Sequence, residues 1–391
     1  MRYTATIVVM ACVLISGSSA AAEKTLVITA INELDISRPS TTLEVQWKDI
    51  LSRYPGFIPD RVELRDADTK KPVVSQNVDL NGDGKEDFLV FQYDFKPNET
   101  KKFILQKSVV SMKLRFECMA KTYGRFVPDR YDDYAWESDK TAHRIYGQAL
   151  MTWDKEPLTS SGVDVWCKST PNLVVNKWYA GDDYHKDHGE GADFYSVGPN
   201  RGCGGIGIWD NQKMHLSQNF KTAKTVANGP VCTIFELTYL PWQANGFKVS
   251  EVKRIRIDGG QYLSRFESTF QTVPSQRVMQ MAIGIVEVKG GEAASNKEQG
   301  WLAYWQPVTA APGTFLALSV VVDPSYLKEI TRDEKHTLAI ESVQSGKSAV
   351  YHAGGSWTKA GDVATFDAWQ SYLTAFSKCA KTPVRVTLSM E

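Results

Sequence analysis

The sequence has no excess of charge of either sign: 45 Lys and Arg stand against 45 Asp and Glu. A balanced surface removes the electrostatic reason for a nucleic acid or an anionic membrane as partner. Long apolar runs are missing as well. The longest lies at the start, from Ile7 to Ile15, and is too short to span a bilayer. Cysteine is sparse beyond residue 22, where Cys118, Cys167, Cys203, Cys232 and Cys379 form an odd set without a CxxC pair. One or two bridges are compatible with that set, at least one thiol stays unpaired, and a disulfide-built scaffold is excluded at this length. There is no Gly-x-Ser-x-Gly elbow, phosphate loop or HExxH, so serine-hydrolase, nucleotide-driven and zincin chemistries have nothing to stand on. Fixed-period repeats, βαβ alternation and low-complexity linkers are absent too.

What is present begins with an export signal. Arg2 supplies a positive start, Ile7 to Ile15 a short apolar core, and Ser18-Ser19-Ala20-Ala21-Ala22 small residues for cleavage. The layout predicts a signal peptide over residues 1–22 and a periplasmic or secreted protein. Cys12 lies inside the apolar core behind Met10, which suits an ordinary cleaved signal better than lipid attachment. Aromatics make up 11% of the chain, with 11 Trp among them. Aromatic planes suit the C–H faces of sugars, and they suit large β cores equally.

Strand signals dominate. Thr42–Trp47, Phe88–Tyr93 and Phe315–Val322 are rich in β-branched and aromatic residues. Tyr262–Phe270 alternates, with Tyr262, Phe266 and Phe270 on one face and Arg265, Glu267 and Thr269 on the other. Period two with one polar face predicts an antiparallel sheet packed on one side. Val278–Val288 is nearly continuously apolar, as a strand buried on both faces would be. A single convincing helix carries Phe366, Trp369, Leu373 and Phe376 at three- and four-residue spacing. Beyond Pro383, Val384–Leu388 reads as a closing strand. The fold class is therefore mostly β: a small N-terminal β-domain over 23–110 with an Asp-rich loop, then a large antiparallel β-sandwich over 111–391.

Three clusters could carry chemistry. Asp79, Asn81, Asp83 and Asp87, with Gly82 and Gly84 between them, place oxygen ligands at alternate positions around a tight turn. That pattern suits a structural calcium ion, although Val90 stands where an EF-hand needs its bidentate Glu. A plain hairpin turn explains Asn-Gly and Asp-Gly equally. The second cluster is Tyr184-His185-Lys186-Asp187-His188-Gly189-Glu190-Gly191-Ala192-Asp193-Phe194-Tyr195. Its glycines disfavour a helix, and a loop with so many titratable groups suits acid–base work or ligand binding. A transition-metal site and a solvated structural loop remain open beside that reading. The third is Trp136-Glu137 with Asp139, His143-Arg144 and Tyr146-Gly147. Here Trp136 could stack a sugar, Glu137 bind hydroxyls and Arg144 clamp a carboxylate; a buried ion pair of Arg144 with an acid explains the same residues. Trp166, Lys168 and Trp178 sit in two shorter stretches of strand-like and polar residues. The run Gly202-Cys203-Gly204-Gly205 lacks the context of a nucleotide loop and predicts close backbone approach or a bulge.

Taken together, Asp79–Asp87, Trp136-Glu137-x-Asp139, Arg144-x-Tyr146-Gly147, Gly162-Val163-Asp164-Val165-Trp166 and the Tyr184–Asp193 segment with Gly198 and Gly202 resemble the bacterial family named domain of unknown function 4861. The likeness runs over nearly the whole chain from about residue 25 to 390. The resemblance implies a galactose-mutarotase-like super-sandwich and a context of uronic-acid-containing polysaccharides such as pectins and ulvans. On that basis the expected activity is β-elimination on a uronate-containing oligosaccharide, as a lyase or dehydratase. Arg144 or Lys168 would bind the carboxylate, His185 or His188 take the C5 proton, and Tyr184 or Tyr195 protonate the leaving oxygen. Glu190 would orient a histidine, Asp193 line the site, and Trp136, Trp166 or Trp178 stack sugar rings. A mutarotase or epimerase, a glycoside hydrolase using Glu137 with Glu190, and a non-catalytic carbohydrate-binding protein are the alternatives. No organic cofactor is expected.

Overall fold

The computed structural model describes residues 25–155, 157–181 and 183–391; the expected signal peptide and its cleavage site lie outside them. The chain is mostly β, with several antiparallel sheets and few helices. Near the N-terminus, Leu26–Ile31, Thr100–Lys107 and Val62–Asp66 form a sheet. A second sheet joins Arg38–Gln46, Phe88–Phe95 and Ser75–Val78. Alternating apolar residues of the two, among them Ile28, Leu43, Val45, Phe91, Phe103 and Leu105, meet in a shared core. The closing strand, Arg385–Met390, was expected within the larger sandwich. It instead pairs with Leu26–Ile31.

The larger sandwich packs a nine-stranded sheet on a five-stranded one. Val278–Val286 lies between Cys203–Trp209 and His336–Gln344 in the smaller sheet and is buried from Met281 onward, which explains its nearly continuous apolar run. In Leu263–Val273 the alternation holds: Phe266 and Phe270 are buried in the sandwich while Arg265, Glu267 and Thr269 face outward. Phe266 stacks on Tyr351 with ring centroids 5.0 Å apart. The glycine-rich run begins Cys203–Trp209, and the pairing shifts between Cys203 and Gly205. Gly204 has φ +96° there, and a Cβ would stand 2.4 Å from that of Ala353. The run is a bulge with close approach.

Phe366–Lys381 is the long helix, capped by the Thr365 hydroxyl accepting from Ala368 N at 3.2 Å. Its Trp369 and Leu373 cover Tyr262, Trp301 and Trp305 on the outside of the nine-stranded sheet. Three shorter helices, Trp47–Arg53, Met112–Phe116 and Val175–Tyr179, escape pattern reading because one to two turns are too few to set a period. All five described cysteines are free thiols.

Inside the sandwich Glu341 is buried, with Oε1 lacking a hydrogen-bond partner among the described residues. Burial pushes its carboxyl up to about 8. The folded state therefore holds a proton that the unfolded chain releases at lower pH, so this group costs stability as pH rises through that window. Glu341→Gln is expected to leave stability unchanged at about pH 4 and raise it progressively toward about pH 8. Urea denaturation across that range tests it, and parallel wild-type and variant curves would refute it.

Candidate functional site

A third sheet in the larger part carries most of the residues of interest: Thr122–Val127, Asp133–Ser138, Ala142–Ile145, Val163–Lys168 and Gly191–Ala192. Its register sorts them. Arg144 lies opposite both Ala135 and Asp164, and Ala142 opposite both Glu137 and Trp166. Since side chains alternate, Asp133, Glu137, Arg144, Asp164, Trp166 and Lys168 share one face. Tyr134, Trp136, Ile145, Val163, Val165 and Cys167 take the other and join the sandwich core. The polar face is roofed by Val175–Tyr179 and Tyr184, packed on Trp166.

At one end of this face Glu137 and Lys168 pair at 2.8 Å with both side chains buried. Glu137 also accepts from the backbone N–H groups of Val174 and Val175, each at 2.8 Å, and Lys168 donates to Ser138 O at 2.6 Å. Burial lowers the Lys168 ammonium's pKa, against the opposing field of Glu137. This end is a closed structural network that fixes the roof.

The other end centres on Arg144. Its Nε donates to Asp164 Oδ2 at 2.9 Å, and its terminal nitrogens lie 3.6 Å from Asp133 and 3.5 Å from Asp193. Tyr146 donates to the same Asp164 oxygen at 3.3 Å. Three buried carboxyl groups thus share one guanidinium. Burial outweighs the arginine's field and pushes both Asp133 and Asp164 up to about 7. Asp133 Oδ1, Asp164 Oδ1 and the hydroxyls of Tyr179 and Tyr195 are buried with no hydrogen-bond partner among the described residues. Unsatisfied groups gathered around one guanidinium make this a candidate site.

The histidine-rich loop reaches this centre through Tyr184. Arg144 donates to the Tyr184 hydroxyl at 3.0 Å, which leaves the phenolic proton for another acceptor. Burial raises this tyrosine's pKa, so the proton stays on at neutral pH. Arg130 stands 4.8 Å from the Tyr184 ring centroid. The His185 ring lies 4.2 Å from that of Tyr184, and its Nδ1 is 2.8 Å from the carbonyl of Asp193. Nδ1–H donates to that carbonyl, which turns the Nε2 side of the exposed ring away from the bond. Gly191, at φ +111°, holds the loop's return against the sheet, where a Cβ would stand 1.9 Å from Cys167 O. Asp187 accepts from Gly189 N and Gly191 N and pairs with Lys359 at 2.5 Å, tying the loop down.

Several expectations need correction. Trp136 is fully buried and stacks on His143 at 5.1 Å, and Trp166 is buried under Trp178 at 5.4 Å. Trp136 and Trp166 are core, and Trp178 is largely buried with them, so none is a platform for a sugar. Glu137 and Lys168 are consumed by their mutual pair and cannot meet ligand. Glu190 pairs with Lys177 at 2.6 Å rather than with a histidine. With Glu137 buried and Glu190 bound on the surface, that pair cannot flank a glycosidic bond. His188 bonds Asp183 at 2.9 Å, with both side chains more than half exposed. Tyr184, His185, Asp193 and Arg144 are brought together, whereas the Tyr195 ring packs in the sandwich core, with Asp164 and Tyr146 among the groups near it. Asp133, Tyr179 and Arg130 join them unannounced by any motif, although Asp133 keeps period-two register with Ala135 and Glu137.

The Asp79–Asp87 loop joins the paired strands Ser75–Val78 and Phe88–Phe95. Asp79 accepts from Gly82 N at 2.7 Å and Gly84 N at 2.8 Å, Asn81 from Asp83 N, Asp83 from Lys85 N and Asp87 from Leu80 N. These oxygens fasten the turn, and the Lys224 ammonium lies beside Gly82. Among the described residues no three His, Cys, Asp or Glu side chains gather to hold a metal ion. No helix among them is long and apolar enough to cross a membrane.

A family model described as "Domain of unknown function (DUF4861)" matches residues 31–386. A Formosa agariphila protein described as "Uncharacterized protein P7" is 34% identical over 375 residues, covering 92% of this chain and 93% of that one. Two solved Enterococcus faecalis structures are similar in fold. One is a protein in glycosyl hydrolase family 38, at TM-score 0.51 and 10% identity over 93% of this chain and 47% of that one. The other is an alpha-mannosidase, at TM-score 0.47 and 8% identity over 93% of this chain and 46% of that one. The chain spans about half the length of these two proteins. At such identity the likeness concerns the β-rich fold alone.

Proposed function

The chain belongs to the domain of unknown function 4861 family, and from that premise we propose a carbohydrate-active enzyme that acts on uronate-containing oligosaccharides by β-elimination. The observation that carries this reading is the Tyr184–His185 pair: a tyrosine whose proton is left over by Arg144, beside an exposed histidine ring held through Nδ1. Elimination needs both. A base takes the proton at C5, α to the sugar carboxylate, the C4–C5 double bond forms, and an acid protonates the oxygen leaving C4. His185 Nε2 is the base and Tyr184 the acid. Arg144 positions the tyrosine hydroxyl, since Asp164, Asp193 and Asp133 already surround its charge; Arg130, over the same ring, adds positive potential for the substrate carboxylate. The glycosyl hydrolase described for the similar fold is in keeping with a sugar ligand.

A second reading rests on Asp133 and Asp164, whose raised carboxyl groups hold protons near neutrality as a hydrolytic acid must. One experiment separates the two. Elimination raises ultraviolet absorbance as uronate oligomers are consumed, whereas hydrolysis yields new reducing ends without it. Tyr184→Phe keeps the ring and loses the proton, and is expected to lower kcat about a hundredfold with little change in KM. A flat absorbance trace over a broad panel with new reducing ends would overturn elimination.

Calcium at the Asp79–Asp87 loop is proposed on its sequence pattern, in a structural role. Saturating calcium is then expected to raise Tm, and chelation to reverse the gain. No calorimetric heat and an unmoved Tm would assign the loop to turn formation alone.

A further inference from the structure

A groove of about 1180 Å³ runs between the strand Arg38–Gln46, the outer face of the nine-stranded sheet and the helix Phe366–Lys381. It lies apart from the Arg144 centre, and its volume exceeds the roughly 300–1,000 Å³ that encloses a drug-sized ligand. Its floor is the polar face of the alternation seen in Leu263–Val273 and its neighbour Phe247–Asp258. Five basic and five acidic side chains line it. Most are locked in ion pairs: Arg256 to Asp258 at 2.7 Å and to Glu44, Arg265 to Glu267 at 2.8 Å and Lys140 to Asp362 at 2.6 Å; Arg38 instead donates to the carbonyls of Thr382 and Cys379, and Asp94 accepts from Ser40 N. Arg254, also on the floor, pairs with Glu236 at 2.5 Å. His352, burial holding it far below its usual range, adds no charge.

We propose that this groove binds a neutral stretch of an oligosaccharide chain. With equal numbers of opposite charges, the lining offers no net attraction to an ion. A paired guanidinium and carboxylate instead present adjacent, pre-oriented donors and acceptors, which suits vicinal hydroxyl groups. Pairing also fixes those side chains before the ligand arrives, so less rotamer entropy is lost on binding. Phe376, edge-on to His352 at 5.0 Å, gives the wall an apolar surface for a ring face. The groove's Lys140–Asp362 end also points toward the candidate site. Lys359, on the turn just before Asp362, is the residue that holds Asp187 in the histidine-rich loop. The ligand class follows from the groove itself; only the idea that its chain continues toward the Arg144 centre rests on the carbohydrate reading above.

Calorimetry with xylohexaose, mannohexaose and a galacturonic acid hexamer tests the proposal. The exposed Ala375 of the helix lines the groove, and Ala375→Trp fills it without touching either core. A neutral hexamer is expected to bind wild type and Tyr184→Phe alike, and Ala375→Trp about tenfold or more weakly. Turnover of a uronate disaccharide by Ala375→Trp is expected to match wild type. Ala380→Trp, on the same helix, replaces the first variant if that one melts early. The proposal is overturned if wild type binds neither neutral hexamer, if both Trp variants bind like wild type, or if binding disappears in Tyr184→Phe. Tighter groove binding of the galacturonate hexamer would overturn the neutral class. Loss of hexamer binding in Ala375→Trp supports the groove even if no elimination is ever detected, so the two readings fail separately.

Discussion

Arg144→Met is expected to destabilise the protein by about 3–5 kcal/mol at neutral pH, the usual result of stranding buried charge. Methionine fills the volume of the arginine stem but leaves Asp133, Asp164 and Asp193 without the guanidinium they share. Carboxyl groups in that position take up protons rather than remain charged. Asp133 and Asp164 already sit near about 7 with the arginine present; without it they move further up. The sign of the pH dependence follows. Up to about pH 6 Asp133 and Asp164 are protonated in both folded proteins, so wild type and variant lose stability alike as the unfolded chain ionises; the penalty grows as pH rises through about 7, where the wild-type acids ionise against the guanidinium and the variant's stay protonated. Adding Asp164→Asn to Arg144→Met should recover part of the loss at neutral pH and little at low pH. Urea denaturation of the single and double variants measures both. A penalty independent of pH would mean that packing, not charge, is what Arg144 contributes.

Glu137→Ala is the second large effect expected, also of about 3–5 kcal/mol. One carboxylate holds the buried Lys168 ammonium and two backbone N–H groups at the start of Val175–Tyr179. Removing it leaves an unpaired cation and two orphaned donors together, and each orphan alone costs about 1–3 kcal/mol. Lys168→Met should be milder, because Glu137 keeps its backbone donors, and the double variant should fall below the sum of the singles. Lys168 pairs with Gly191 across the sheet, so loosening this end should also disorder the histidine-rich loop. Hydrogen exchange across 184–195 in a Lys168→Met protein that still folds would detect it. Unchanged protection there would separate the two ends of the polar face.

The sequence carries the β architecture in period two. The alternation reappears from Leu263 onward, with Phe266 and Phe270 inside, while Tyr262, expected beside them, precedes the strand and packs outside under the helix; the nearly continuous apolar run reappears as Val278–Val286, because pleat and burial act directly on neighbouring residues. The candidate site was legible only in part. Tyr184, His185 and Asp193 are close in sequence, so one loop delivers them. Trp136 and Glu137 are adjacent in sequence and point to opposite faces; reading them as one ligand surface ignored the pleat. Which face is covered depends on Val175–Tyr179, a helix too short to announce itself. Asp133 has no motif, and its role comes from strand register with Arg144 across a turn. The pairing of Arg385–Met390 with Leu26–Ile31 is a contact between sequence extremes that no local pattern encodes.

That pairing also sets a schedule. Leu26–Ile31 has Thr100–Lys107 on one flank and Arg385–Met390 on the other. Until the distal strand is made, one row of its backbone groups faces solvent, an edge on which stray strands can pair. The first sheet to leave the ribosome is thus among the last to be finished, and its closure spans nearly the full sequence, a slow class of contact.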